Sequence, residues 1–409
     1  MVDVAIVGAG AIAQQSYLPA VRELPNADLR WVVDLNEDRA ERLALEFDGA
    51  GYASDYRDVV DETDAAIVAT PPKFHGEIAE TFLRSGVHVL TEKPVAETSR
   101  DAAELVALAD EEGLHYAVSR QYREAPACRL LYNFVNSGVL GRVERFRMCF
   151  GDTTSWEFAS DYRLQQSLAG GGVLTDKGPH VLDVALWLFG DGFVVEGYED
   201  DSFGGLEANA RLEVCFDPPD GISGTVDLAG SRDVDNEVEI IGERGTLVAD
   251  PGSDSATLYD FETGDETHLK SAEQTTNTYL LRVGMQARRF VDSIQTDDPS
   301  YVPARNGVDV LELIEACYGI RERTVHPWEA VGIETTYLDS DGFDHLREAS
   351  SNAEGRREEF STVRDSGEHS AAVGETGEES ATVEEPDKER SRVGKSVEET
   401  AVESQGEGS

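Results

Sequence analysis

The chain opens on Val2–Val7, a short continuous apolar run. It turns at once through Gly8-Ala9-Gly10-Ala11-Ile12-Ala13 into a helical pattern. A strand buried on both faces reads as such a run, and the Gly-x-Gly-x-x-Ala spacing behind it narrows what can be built. Gly8 permits a tight turn, Gly10 lets backbone approach a ligand, and Ala13 keeps the helix close to the sheet. The helix then presents its free N–H groups to a pyrophosphate. Asp34 ends the second apolar run roughly 20 residues later, where an acid can accept from both ribose hydroxyls of a dinucleotide. The expectation is an α/β domain with a doubly wound parallel sheet. Its dinucleotide site comprises Gly8, Gly10, Ala11, Ile12, Ala13 and Asp34. Because Asp34 would repel a 2′-phosphate, NAD is expected; nearby Arg39 leaves NADP possible.

The alternation continues. Strands are expected at Leu29–Val33, Ala65–Ala69, Val87–Leu90 and Leu114–Val118, and helices at about Ile12 to Arg22, Glu37–Phe47, Phe74–Ser85 and Arg100–Glu111. Strands alternating with helices imply a parallel sheet covered on both sides. After Gln121 the pattern changes. Helices are expected at Pro126–Asn136 and Val173–Phe189. Five strand-like runs follow: Val194–Tyr198, Ala208–Phe216, Ile222–Leu228, Val238–Ile241 and Gly245–Val248, with turns such as Asp217-Pro218-Pro219-Asp220-Gly221 between them. Helices near Thr276–Gln295 and Val308–Glu322 close the body. This predicts a C-terminal α/β domain with a mostly antiparallel sheet, one face open. The division is 1–120, 121–347 and an acidic tail, 348–409. The tail has no Leu, Ile, Met, Trp or Tyr and buries too little apolar surface to offset its ordering entropy, so disorder is expected there.

The net charge is −46. The tail holds 17 acidic and seven basic residues, which leaves −36 on residues 1–347. The acidity therefore belongs to the folded body. Lysine is scarce, six against 29 arginines. Such a surface suits a salt-rich, halophilic cytoplasm in which screening relieves self-repulsion. It argues against nucleic acid as a partner, because phosphates would be repelled. No apolar run approaches the roughly 20 residues that cross a bilayer, and no signal peptide is read at the N-terminus, so a soluble, cytoplasmic protein is expected. The four cysteines form no CxxC pair, which argues against a disulfide framework and a zinc site.

Three further motifs carry a resemblance. They are Thr70-Pro71-Pro72-Lys73-Phe74-His75, Thr91-Glu92-Lys93-Pro94, and Gly170-Gly171-Gly172-Val173-Leu174-Thr175-Asp176-Lys177-Gly178-Pro179-His180-Val181-Leu182-Asp183. Behind the glycine turn, and in this order, they resemble the signatures of the Gfo/Idh/MocA family of sugar oxidoreductases over residues 1–325. The resemblance implies a Rossmann domain and a second domain whose open sheet forms a homo-oligomer, dimer or tetramer. It also implies hydride transfer at a carbinol or carbonyl of a sugar, polyol or nucleotide sugar. By resemblance Lys93 is catalytic and Lys93-Pro94 often a cis bond. Asp176 holds substrate hydroxyls, and His180 shares the proton transfer with Lys93. Thr70, Pro71, Glu92 and Lys93 border the cofactor.

The residues support this on their own terms. Lys93 follows a strand's carboxyl end, where open sheets bind ligands, and unlike arginine it can release its proton. Histidine titrates near neutrality. Asp176 and His180 stand four apart, on one face if the helix runs through both, and the triple glycine before them permits backbone to approach a ligand. Lys177 either reaches an anionic substrate group or points to solvent. Gln121, Arg123 and Arg163, with Tyr122 and Tyr162, are weaker substrate contacts. His75 is read as structural. Two other functions stay open: an NAD-using non-redox enzyme, such as a glycosidase or epimerase, and a non-catalytic NAD-sensing regulator.

Overall fold

The computed structural model describes residues 1–47, 50–152, 166–202, 206–218, 221–271, 278–296 and 301–321. The tail expected at 348–409 lies outside them. Six strands form the first sheet: β1 Val2–Val7, β2 Ala27–Val33, β3 Gly51–Ala53, β4 Ala65–Val68, β5 His88–Thr91 and β6 Tyr116–Val118. All pair in parallel in the order β3-β2-β1-β4-β5-β6. The order reverses between β1 and β4, and ligands of open α/β sheets bind outside the carboxyl ends at that point.

Helices α1 Leu18–Arg22, α2 Glu37–Glu46, α3 His75–Arg84 and α4 Ser99–Glu112 connect these strands. Asn36 and Thr98 cap α2 and α4 through their side-chain oxygens. The helix expected from Ile12 differs at its start: Ala13–Tyr17 is a π-helical turn that leads into α1.

The second sheet has eight strands: β7 Val143–Gly151, β8 Phe193–Asp200, β9 Asn209–Phe216, β10 Ile222–Ala229, β11 Glu237–Gly242, β12 Gly245–Ala249, β13 Ser255–Asp260 and β14 Glu266–Lys270. Its order is β14-β13-β12-β11-β7-β10-β9-β8. Only β7 and β10 pair in parallel. Three of these strands, β7, β13 and β14, go beyond the sequence expectation. In β7 the signal was there: Phe146, Met148 and Phe150 are buried while Arg145 and Arg147 are exposed, the period of a half-buried strand. That face packs with α5 Pro126–Ser137 and with the helices after it. The other face carries exposed Arg145, Arg147, Arg211 and Glu213.

After the short α6 Gln166–Ala169, the single helix expected at Val173–Phe189 is two: α7 Val173–Asp176 and α8 Gly178–Phe189. Pro179 explains the break, since it has no N–H to continue the hydrogen-bond ladder and sits instead in the first turn of α8. Asp176 and His180 therefore do not share one helix face. The last described helices, α9 Tyr279–Thr296 and α10 Arg305–Gly319, tie the sheets together. Val283, Ala287, Phe290 and Val291 of α9 enter the core beside β1. Val310, Leu313 and Ile314 of α10 enter the core beneath the second sheet.

Candidate active site

A cavity of about 910 Å³ opens at the carboxyl ends of β1, β2, β4 and β5 and extends to the α7 segment. One end is built by the glycine turn. Gly8 has φ +99°, and a Cβ there would stand 2.5 Å from the Ala69 carbonyl oxygen, so only glycine fits. The next amide, Ala9 N, donates to Asp34 Oδ2 at 2.8 Å, and Asn36 N donates to Oδ1 at 2.8 Å. Arg39 Nη1 lies 3.6 Å from the same carboxylate. A Cβ on Gly10 would meet nothing within 4 Å, because it would point into the cavity. Ala11, Ile12 and Pro71 line that space, as does Thr70, whose buried Oγ1 has no partner within the described protein. Ala13 is fully buried under the turn. A phosphate-sized space before a helix start, a ribose-binding acid and an unsatisfied hydroxyl fit NAD(P).

Glu92 and Lys93 follow β5. Glu92 Oε1 accepts from the Tyr17 hydroxyl at 2.5 Å and Oε2 from Lys93 N at 3.2 Å. Burial and then Glu92 hold the Tyr17 phenol well above its ordinary pKa, so it remains a donor. Lys93-Pro94 is a cis peptide. His75 lies beneath it, with Nδ1 2.6 Å from Pro94 O and Nε2 2.8 Å from Thr70 O. This clamps the two cavity loops together and matches the structural role expected of it. Two carbonyl acceptors favour the imidazolium, whereas burial, the larger effect, lowers the His75 pKa.

Lys93 and Asp176 meet. Lys93 Nζ donates to Asp176 O at 2.6 Å and lies 3.1 Å from Oδ1, with the lysine largely buried. Lys177 also borders the cavity, but its ammonium pairs with Asp152. The structure thus places its ammonium on the exposed Asp152 carboxylate at the cavity edge. His180 is not among the lining residues. Its Nδ1 lies 3.1 Å from Gln121 Nε2 and its ring meets Tyr122 edge-on at 5.8 Å. Arg123 is corrected more fully. Its Nε and Nη2 bind both oxygens of Asp183 at 2.8 and 2.7 Å, which makes it half of a buried ion pair rather than a substrate contact. Tyr162 and Arg163 lie outside the described residues.

The triple glycine also has another explanation. A Cβ on Gly171 would stand 2.5 Å from the Tyr318 hydroxyl, and one on Gly172 would stand 2.1 Å from Glu207 O. Protein makes a close approach at these two positions, both of which also border the cavity. Glu207 is the residue that sequence reading missed. It lies 35 positions downstream, and no local pattern marks it.

Models of two parts of one family match the chain. The oxidoreductase family with an NAD-binding Rossmann fold matches residues 2–120, and the GFO/IDH/MocA C-terminal domain matches 128–248. The chain belongs to the Gfo/Idh/MocA oxidoreductase family. It is 31% identical over 164 residues to levoglucosan dehydrogenase of Pseudarthrobacter phenanthrenivorans, which spans 39% of this chain and 42% of that enzyme. The chain thus matches less than half the length of that relative. It is 28% identical over 251 residues to dTDP-3,4-didehydro-2,6-dideoxy-alpha-D-glucose 3-reductase of Streptomyces violaceoruber, covering 60% of this chain and 72% of that enzyme. Among solved structures, a 3-ketoreductase from Actinomadura kijaniata with NADP and TDP-benzene superposes with a TM-score of 0.68 at 20% identity. That match covers 80% of this chain and 99% of that one. Levoglucosan dehydrogenase with NADH and levoglucosan gives 0.68 at 21%, covering 78% and 96%. At this identity the structural matches establish the shared fold of this Gfo/Idh/MocA member.

Proposed function

We propose that the chain is an NAD(P)-dependent dehydrogenase or reductase acting on a hydroxyl or carbonyl of an uncharged sugar or polyol, with Lys93 exchanging the proton at the reacting oxygen. The observation that carries this is the Lys93–Asp176 pair at the cavity's ligand edge. Bound nicotinamide supplies a hydride acceptor or donor. The residues here do the rest. In the oxidative direction Lys93 takes the hydroxyl proton. Asp176 orients the ammonium and the neighbouring hydroxyl, and His180, held by Gln121, shares the proton. Holding the reactants in register supplies most of the rate.

The charge at this end of the cavity supports an uncharged substrate. Among the described residues its cations are Lys93, paired with Asp176, and Lys177, paired with Asp152, while Glu92 adds negative charge. Among the described residues, a phosphate or diphosphate would meet no uncommitted cation here. NAD is favoured over NADP because Asp34 would repel a 2′-phosphate. We further propose the domain division 1–120 and 121–347, and homo-oligomerisation through the open face of the second sheet. The acidic body supports function in a salt-rich cytoplasm. Among the described residues no helix is long and apolar enough to cross a membrane.

The test is NADH formation from a panel of free sugars, glycosides, polyols, sugar phosphates and nucleotide sugars, at low and multimolar KCl. Turnover of neutral sugars is expected. Turnover confined to phosphorylated sugars would overturn the uncharged class, and product without net NADH would move the reading to a non-redox enzyme.

A further inference from the structure

Asp176 owes its place to a turn with unusual anchoring. Glu207 precedes β9 and is 4% exposed. Its Oε1 accepts from Gly172 N at 3.0 Å, Leu174 N at 3.1 Å and the Tyr318 hydroxyl at 2.8 Å. Its backbone oxygen accepts from Val173 N at 2.8 Å. Three successive amides at the start of α7 thus end on one residue. These N–H groups have no partner within so short a helix. From α10 and the residues after it, Tyr318 and Arg321 brace the far side. Arg321 binds Asp200 at 2.7 Å and lies 3.9 Å from Glu207 Oε2. One helical turn beyond Gly172, the Asp176 amide donates to the Gly172 carbonyl at 3.0 Å. Asp176 in turn holds Lys93 through both its backbone and its side chain.

We infer that Glu207 is a positioning residue. By tying Gly172 and Leu174 to one carboxylate oxygen, it fixes the glycine turn and, through Asp176, the Lys93 ammonium at the reacting end of the cavity. This rests on the dehydrogenase reading above. The alternative is a buried acid that only stabilises the fold. The two differ in what a substitution does to the molecules that remain folded. A displacement of about 1 Å at reacting groups can cost about 10²-fold in rate.

The test compares Glu207→Ala and Glu207→Gln in the full chain. Turnover is corrected for folded fraction, and NAD(P) affinity and residue-resolved amide exchange are measured in parallel. Glu207→Ala is expected to lower kcat per folded molecule about 10²-fold and to raise the sugar KM, with cofactor Kd unchanged because the glycine turn at Gly8–Ala13 is separate. Glu207→Gln keeps an accepting oxygen and should retain most of the activity. Exchange should quicken at Gly172 and Leu174 in Glu207→Ala but not at Val173, whose acceptor is backbone. Unchanged kcat and KM per folded molecule in Glu207→Ala, or unchanged exchange at Gly172 and Leu174, would overturn the inference. If the wild-type chain turns over no sugar, the dehydrogenase reading fails, and exchange at these amides still decides whether Glu207 holds the turn.

Discussion

Asp183→Asn removes one negative charge from between two buried guanidinium groups. Asp183 is 1% exposed on α8. It accepts Arg123 Nε at 2.8 Å and Nη2 at 2.7 Å, and Arg120 Nε lies 3.2 Å from its Oδ1. Arg120 is itself 1% exposed. Burial lowers its pKa, and Asp183 is the largest influence acting the other way. Asparagine keeps one acceptor and turns an NH₂ toward groups that only donate. Two charge-assisted bonds at about 1.5–3 kcal/mol each, and the usual cost of about 3–5 kcal/mol for orphaning a buried charge, agree on a loss near 4 kcal/mol. Urea denaturation of wild type and variant, extrapolated to water, measures it. A second effect separates this pair from a generic core defect. His180 lies on the same helix one turn before Asp183, and its partner Gln121 sits between the two arginines in sequence. The folded variant should therefore lose turnover while binding NAD(P) normally. A stability loss below about 1 kcal/mol, the size of an ordinary exposed ion pair, would refute the reading of a buried clamp.

Lys93→Met and His180→Ala are each expected to lower kcat by about 10²–10⁴-fold with NAD(P) affinity preserved; near-normal turnover per folded, cofactor-bound molecule would remove the assignment. Asp34→Ala should shift preference toward NADP by roughly 1–3 kcal/mol, read as the ratio of kcat/KM values, and a wild type that already prefers NADP would show Asp34 misassigned. His88 has a lowered pKa through burial and then His115, and its Nδ1 accepts from His115 N at 2.9 Å. The unfolded chain thus binds this proton at higher pH than the folded one, so stability falls as pH drops below about 6.5. His88→Asn should flatten that slope between pH 8 and 5.5, and equal slopes would exclude His88 as the source.

The first sheet was legible because its information is local. Continuous apolar strands, the glycine turn and Asp34 each announce themselves within a few residues, and alternating strands and helices imply a parallel sheet; the three-residue edge strand β3 and the strand order came only from the fold. The second sheet was legible in class but not in count. β13 and β14 are weakly apolar strands near one edge, where burial does not enforce a pattern. β7 was lost despite its alternation, because charged Arg145 and Arg147 interrupt its apolar residues. The break between α7 and α8 was written in Gly178-Pro179. Reading the four-residue step from Asp176 to His180 as a helix face hid it.

The site divides along the same line. Lys93 and Asp176 are 83 positions apart, and motif reading could assign both to one site because each carries its own local signature. What surrounds them has none. Lys177 could be named as a cation at the cavity, but only the fold shows that Asp152 neutralises it. Arg123 could be named as a cation near the strand end, yet its partner lies 60 residues away. The triple glycine was read as room for a ligand. Two of those glycines make room for protein: the Tyr318 hydroxyl beside Gly171 and the Glu207 backbone beside Gly172. The same absence of a side chain signals backbone–ligand and backbone–protein approach alike, and only the position of a distant chain segment tells them apart. A Gly172→Ala chain makes the distinction measurable: with Glu207 O only 2.1 Å from the new Cβ, it must displace the turn even with no substrate present, and an unaltered unliganded structure would return the glycine to the ligand.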